Sequence, residues 1–78
     1  MIPLYGFLQG DSMGLLILAR DDDTLGRLAE RLQSAADVRV APLKRPRVMV
    51  AGRLLDLEMT VAAAGLSALD KFEVGGSR

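Results

Sequence analysis

Short apolar runs alternate with polar breaks along the chain, and the period of the apolar positions changes from segment to segment. Between Ile2 and Gln9 the period is two. Tyr5 and Phe7 fall on one face and Leu4 and Leu8 on the other, which predicts a strand. Pro3 stands at its start, where a missing N–H is tolerated. Gly10-Asp11-Ser12 is a hairpin turn signal, and Met13–Ala19 predicts a second strand. That strand is apolar on both faces: Leu15, Ile17 and Ala19 on one, Leu16 and Leu18 on the other. A half-buried antiparallel strand alternates with polar residues, so this run predicts cover on both sides. After Arg20–Thr24 the period becomes helical. Leu25, Leu28, Ala29, Leu32 and Ala36 form one stripe, with Arg27, Glu30, Arg31 and Gln33 on the wet face. Asp23 or Thr24 can cap the helix, and the acidic run before it complements the positive end of the helix dipole. Gly26 in the first turn weakens the helix by up to about 1 kcal/mol.

Val38-Arg39-Val40 predicts a short strand stopped by Pro42, and Leu43–Pro46 a basic loop. The stretch Arg47–Val74 organises the rest. It reads as a strand over Arg47–Val50, a turn at Ala51-Gly52 and a return anchored by Leu55. A short helical turn over Val61–Ala64 follows, capped by Thr60 and ended by Gly65 as a C′ glycine. Leu66 and Leu69 pack back, and Lys71–Val74 is the last strand, with Phe72 and Val74 inward. This ββαββ order predicts an α+β domain of the β-grasp, or ubiquitin-like, class: a mixed sheet, one main helix and a short helical turn. The domain covers residues 1–74, with 75–78 as a flexible C-terminal tail.

Length allows one domain, since the chain has 78 residues. A domain this small buries only about 60% of its unfolded surface. Half of the residues are apolar, so some apolar surface is left over for a partner. Ten basic and ten acidic residues cancel, which removes any general drive toward nucleic acid or an acidic membrane. The sequence has no cysteine and no histidine, hence no thiolate nucleophile, no imidazole base and no zinc-thiolate site. We assign no catalytic, cofactor-binding or metal-binding residue, and a free-standing enzyme is a poor reading. The N-terminus lacks the basic region of a signal peptide. The apolar run Met13–Ala19 is far short of the about 20 residues that span a bilayer. A bacterial, cytoplasmic protein fits these features.

Four local features remain. Asp21-Asp22-Asp23 lacks the alternate spacing of a calcium loop and reads as a cap and solvated turn. Arg39, Lys44, Arg45 and Arg47 form a basic cluster without interleaved aromatics, so single-strand recognition is not indicated. A solvated loop fits it better, or a rim contact to an acidic partner. Leu16, Leu18 and Met49 point away from the helix if the strand register holds, and Tyr5 and Phe7 extend the same face. These five residues are the candidate partner-binding site. Gly75-Gly76 offers an alternative: a ubiquitin-like modifier or sulfur carrier, conjugated at Gly76 after removal of Ser77-Arg78.

Two resemblances bear on these features. The segment Val48–Val74 is similar to ubiquitin without a gap, through Ala51-Gly52, Arg53, Leu55, Thr60-Val61, Leu66, Phe72 and Val74. The helix entry Asp23-Thr24-Leu25, with Leu28, Ala29, Leu32 and Gln33, is similar too. More specifically, Asp23-Thr24-Leu25, Leu28-Ala29-Glu30-Arg31, Arg39-Val40-Ala41-Pro42, Met59-Thr60-Val61-Ala62 and Gly65-Leu66 resemble the B (gamma) subunit of toluene monooxygenases. That resemblance implies a non-catalytic, ubiquitin-like subunit bound to the larger hydroxylase subunit of a bacterial multicomponent di-iron monooxygenase. Iron and catalysis would then belong to the larger subunit.

Overall fold

The first hairpin closes because Gly10 takes a positive φ of 88°, which costs glycine nothing. The Asp11 N–H donates to the Leu8 carbonyl, and the Asp11 carboxylate accepts from the Met13 N–H at 3.2 Å. The computed structural model describes residues 1–11, 13–37 and 43–77. Strand β1 (Ile2–Leu8) runs antiparallel to β2 (Gly14–Ala19), with Leu4 opposite Ile17 and Tyr5 opposite Leu16. The aspartate turn holds Met13, so β2 begins one residue later than the apolar run.

Helix α1 (Leu25–Ala36) starts where the apolar period changes, and its stripe of Leu25, Leu28, Ala29, Leu32 and Ala36 is buried as expected. Its first three N–H groups, which a helix end would otherwise leave bare, each have an acceptor outside the i→i−4 ladder, and the fourth makes the first ordinary helix bond. Leu25 donates to the Met59 carbonyl at 2.8 Å and Gly26 to the Leu57 carbonyl at 2.9 Å. Arg27 donates to the Thr24 hydroxyl at 3.2 Å and Leu28 to the Thr24 carbonyl at 3.1 Å. Gly26 is therefore more than a weak helix former: a Cβ there would stand 3.3 Å from the Leu57 carbonyl oxygen that its own N–H uses. Gln33 departs from the wet face expected for it. It is half-buried, and its side-chain oxygen accepts the Leu43 N–H at 2.6 Å. The strand expected at Val38–Val40 lies outside the described residues.

Strand β3 (Arg45–Val50) turns at Ala51-Gly52 into β4 (Arg53–Leu55). Both turn residues have positive φ, 52° and 76°, the signature of a two-residue type I′ hairpin. Beyond β4 the short helix is a single turn. The Thr60 hydroxyl accepts from the Ala63 N–H at 3.1 Å. Gly65, at φ 73°, donates to Ala62, and Leu66 donates to Val61. These two bonds are those of a Schellman close. Leu66 is buried, but Leu69 does not pack back: it sits at φ 68° in the Ser67–Asp70 turn and is exposed.

The last strand, β5 (Lys71–Ser77), runs further than the expected Lys71–Val74. Gly75 and Gly76 extend it rather than beginning a tail. Gly76 pairs with Pro46 and Gly75 with Arg47. The Gln9 side chain clasps the Gly76 backbone, accepting from its N–H at 3.1 Å and donating to its carbonyl at 3.4 Å.

The five strands form one mixed sheet in the order β2-β1-β5-β3-β4, parallel only between β1 and β5. This is a β-grasp sheet. Helix α1 lies across one face, and Leu4, Leu8, Ile17, Val48, Phe72 and Val74 meet its stripe in a single core. No described helix lies on the other face. No described helix is long and apolar enough to cross a membrane.

Candidate functional site

Alternation along each strand fixes what the outer face presents. Since Leu4, Ile17, Val48 and Phe72 face the core, their neighbours face out. The pairing places Leu16 of β2 beside Tyr5 of β1, and Tyr5 beside Lys71 of β5. One step along, Gly14, Phe7, Glu73, Met49 and Leu54 form a row across all five strands. Leu18 is paired with Pro3 at one end, and Arg47 and Arg45 follow Met49 at the other.

All five candidate residues, Tyr5, Phe7, Leu16, Leu18 and Met49, thus share this face. Leu16 is 55% and Leu18 48% exposed, Phe7 and Tyr5 are partly open, and Met49 is half-buried. Phe7 lies against Gly14, where a Cβ would stand 2.7 Å from its ring. This arrangement lays an aromatic over the bare backbone of an edge glycine. The double-sided cover expected for β2 is not supplied by any described helix. Helix α1 packs on the inner face, so Leu16 and Leu18 stay in solvent.

Leu54 belongs to the same face, directly opposite Met49 and 58% exposed, and was not among the candidates. A signal for it exists in the sequence. Leu54 and Leu55 are adjacent in one strand, and only one of two successive strand residues can face the core. Arg45 and Arg47 also sit on this face as strand residues, whereas the sequence suggested a basic loop up to Pro46. The fourth basic residue of that cluster, Arg39, lies outside the described residues.

The aspartate run is occupied with local structure. An Asp23 carboxylate oxygen accepts the Arg20 N–H at 2.9 Å and lies 3.5 Å from the Arg31 guanidinium, while the Asp23 carbonyl receives the Val61 N–H. Among the described residues no group of three metal-ligand side chains converges. The alternative conjugation residue, Gly76, lies within β5 and under the Gln9 clasp rather than on a projecting tail.

A family model described as toluene-4-monooxygenase system protein B (TmoB) matches residues 1–75. Among solved structures, the chain is similar to one from a toluene 4-monooxygenase HD complex with the inhibitor 4-bromobenzoate. The identity is 25%, the TM-score 0.86, and the match covers 94% of each chain. A ubiquitin of Caldiarchaeum subterraneum matches with 19% identity and a TM-score of 0.78, over 94% of this chain and 89% of that one. A chain from the crystal structure of ATBAG1 in complex with HSP70 matches at 13% identity and a TM-score of 0.80. That match covers 99% of this chain and 41% of the other. The last two likenesses concern the fold alone. A search of curated protein sequences finds no significant match.

Proposed function

The chain belongs to the toluene-4-monooxygenase system protein B family, and from that premise we propose that it is a non-catalytic auxiliary subunit docking on the larger, hydroxylase-type subunit of a multicomponent monooxygenase. The observation that carries this reading is the outer sheet face. Leu16 and Leu18 of β2 with Tyr5 and Phe7 of β1 form one apolar group, and Met49 of β3 with Leu54 of β4 a second; Lys71 and Glu73 of β5 stand between them, and no described helix covers either group. So many exposed apolar side chains on one sheet face support an interaction site on a small domain. The likeness to a chain of a toluene 4-monooxygenase complex supports the kind of partner. In this role the subunit contributes shape and stability to the complex, and the reacting groups belong to its partner in the cytoplasm.

A modifier or sulfur-carrier role is less well supported. A conjugated glycine must enter the narrow channel of an activating enzyme. Here Gly76 would first have to leave its pairing with Pro46 and its two bonds to Gln9.

The docking reading is tested by co-purification. Leu16→Asp and Met49→Asp each place a charge on the face without touching the core. Each variant should lose the larger subunit while keeping a native circular dichroism spectrum and melting transition. Retention of the larger subunit by both would refute docking through this face.

A further inference from the structure

The chain has no net charge, yet its charges are segregated. Both ion pairs among the described residues lie at the N-terminal end of α1, Arg20 with Asp22 at 3.8 Å and Arg31 with Asp23 at 3.5 Å. At the other end of the molecule, Arg45 and Arg47 are exposed and form no ion pair with a described residue. They leave β3 on the outer face, in file with Met49. Their pairing positions on β5 are Ser77 and Gly75, and β4 pairs only with Val48–Val50, so no strand flanks them on the other side. Lys44 adjoins them and is exposed. The one carboxylate at an outward strand position is Glu73, exposed and flanked in the pairing by Phe7 and Met49, with the exposed Lys71 two residues before it on β5.

We infer that the surface covering this face is a folded-protein surface that is acidic opposite Arg45 and Arg47 and apolar opposite Met49, Leu16 and Leu18. The inference rests on the docking role proposed above. Arg47 stands two residues from Met49 along the strand, about 7 Å. That is within one Debye length, about 8 Å at physiological salt. Docking on Met49 therefore brings the guanidiniums into the rim of the contact, where charge sets association rate and partner choice more than packing does. Arginine suits that place, because its planar fork meets a carboxylate with two parallel bonds. A nucleic acid or other polyanion does not fit the same face. It would lay its charge against Glu73 and leave the leucines, Met49 and Phe7 without apolar partners.

The test uses the full chain and the purified hydroxylase subunits, with affinity measured at low and high salt. Arg45→Glu/Arg47→Glu should weaken binding by about tenfold or more at low salt and flatten its salt dependence. Asp21→Lys/Asp22→Lys, at the opposite end, should leave both unchanged. The acidic-rim inference is overturned if the arginine variant binds like the wild type, or more tightly, while Met49→Asp abolishes binding. It is also overturned if the arginine variant loses only retention on heparin, since the pair would then serve a polyanion. If Met49→Asp itself binds normally, docking through this face fails, and the acidic rim fails with it. Circular dichroism of each variant separates loss of binding from loss of fold.

Discussion

Two glycines of the first hairpin face aromatic rings at the same distance, and unequal outcomes are expected on replacing them. A Cβ at Gly6 would stand 2.7 Å from Phe72 Cζ and 3.0 Å from both terminal carbons of Leu32. A Cβ at Gly14 would stand 2.7 Å from Phe7. Phe72 and Leu32 are fully buried, between the sheet and α1, so neither can yield without moving the helix. Phe7 is on the open face and can swing into solvent. Overpacking a closed core costs about 1–3 kcal/mol, and replacing a strand glycine by alanine returns about 0.5–1 kcal/mol through the unfolded chain. Gly6→Ala should therefore lose about 1–2 kcal/mol net. A chain of 78 residues is stable by about 4–12 kcal/mol, and each kcal/mol moves the melting point by about 4–8 °C in a domain this size. Gly14→Ala should stay within about 0.5 kcal/mol of the wild type. Urea unfolding followed by far-UV circular dichroism suits the measurement, because the chain has no tryptophan and one tyrosine. The midpoint should fall for Gly6→Ala with an unchanged m-value. Phe72→Leu should cost less in the Gly6→Ala background than alone, since it removes the ring that the new methyl meets. Equal midpoints for the two alanine variants, or a Gly6→Ala variant as stable as the wild type, would refute the close approach of β1 to the helix.

Ala51→Asn should raise stability by about 0.5–1 kcal/mol, because the turn needs positive φ at both central positions and an L-alanine pays for it; a lower melting temperature would count against the type I′ geometry. Thr24→Ala should lose about 1 kcal/mol and Thr24→Ser much less, read by urea titration, because the hydroxyl receives the Arg27 N–H. Gln33→Met keeps the side-chain volume and removes the acceptor of the Leu43 N–H. It should cost about 1–3 kcal/mol and speed hydrogen exchange at Leu43, and an unchanged exchange rate would show that water serves that N–H.

The elements that were legible are those whose signals are local. The α1 stripe, the Ala51-Gly52 turn, the Thr60 cap and the Gly65 close each depend on residues a few positions apart, and each is found in place. The outward set was legible for the same reason, since period-two alternation assigns Leu16, Leu18 and Met49 once Ile17 and Val48 are known to be inside. What failed depends on distance. Glycine has no side chain to show a strand period, so Gly75-Gly76 looked like a tail, and the residue that fastens it, Gln9, is 67 positions away. Gly26 looked like a defect because the Leu57 carbonyl it approaches lies on another segment. Leu69 looked like a core residue because a positive φ cannot be read from an apolar side chain. The face's missing cover was misjudged in a related way. The sequence of β2 asks for cover on two sides, but nothing in it says whether that cover belongs to the same chain.

That distinction bears on the two functional readings, which share one fold. At Gly76 φ is 148°, and a Cβ would run into the Arg45 carbonyl oxygen. Glycine is therefore required there by packing alone, whatever becomes of the C-terminus. The glycine pair, which suggested conjugation, has a structural cause inside the domain. The outer face has none. Leucine at positions 16, 18 and 54 adds nothing to the core, and on an edge strand such as β2 it exposes the domain to unwanted pairing. A polar residue at any of these positions would leave the fold as stable and less prone to associate. Leucine there has a physical use only when something covers it, and no described helix of this chain does, which is why the docking proposal looks to a partner surface.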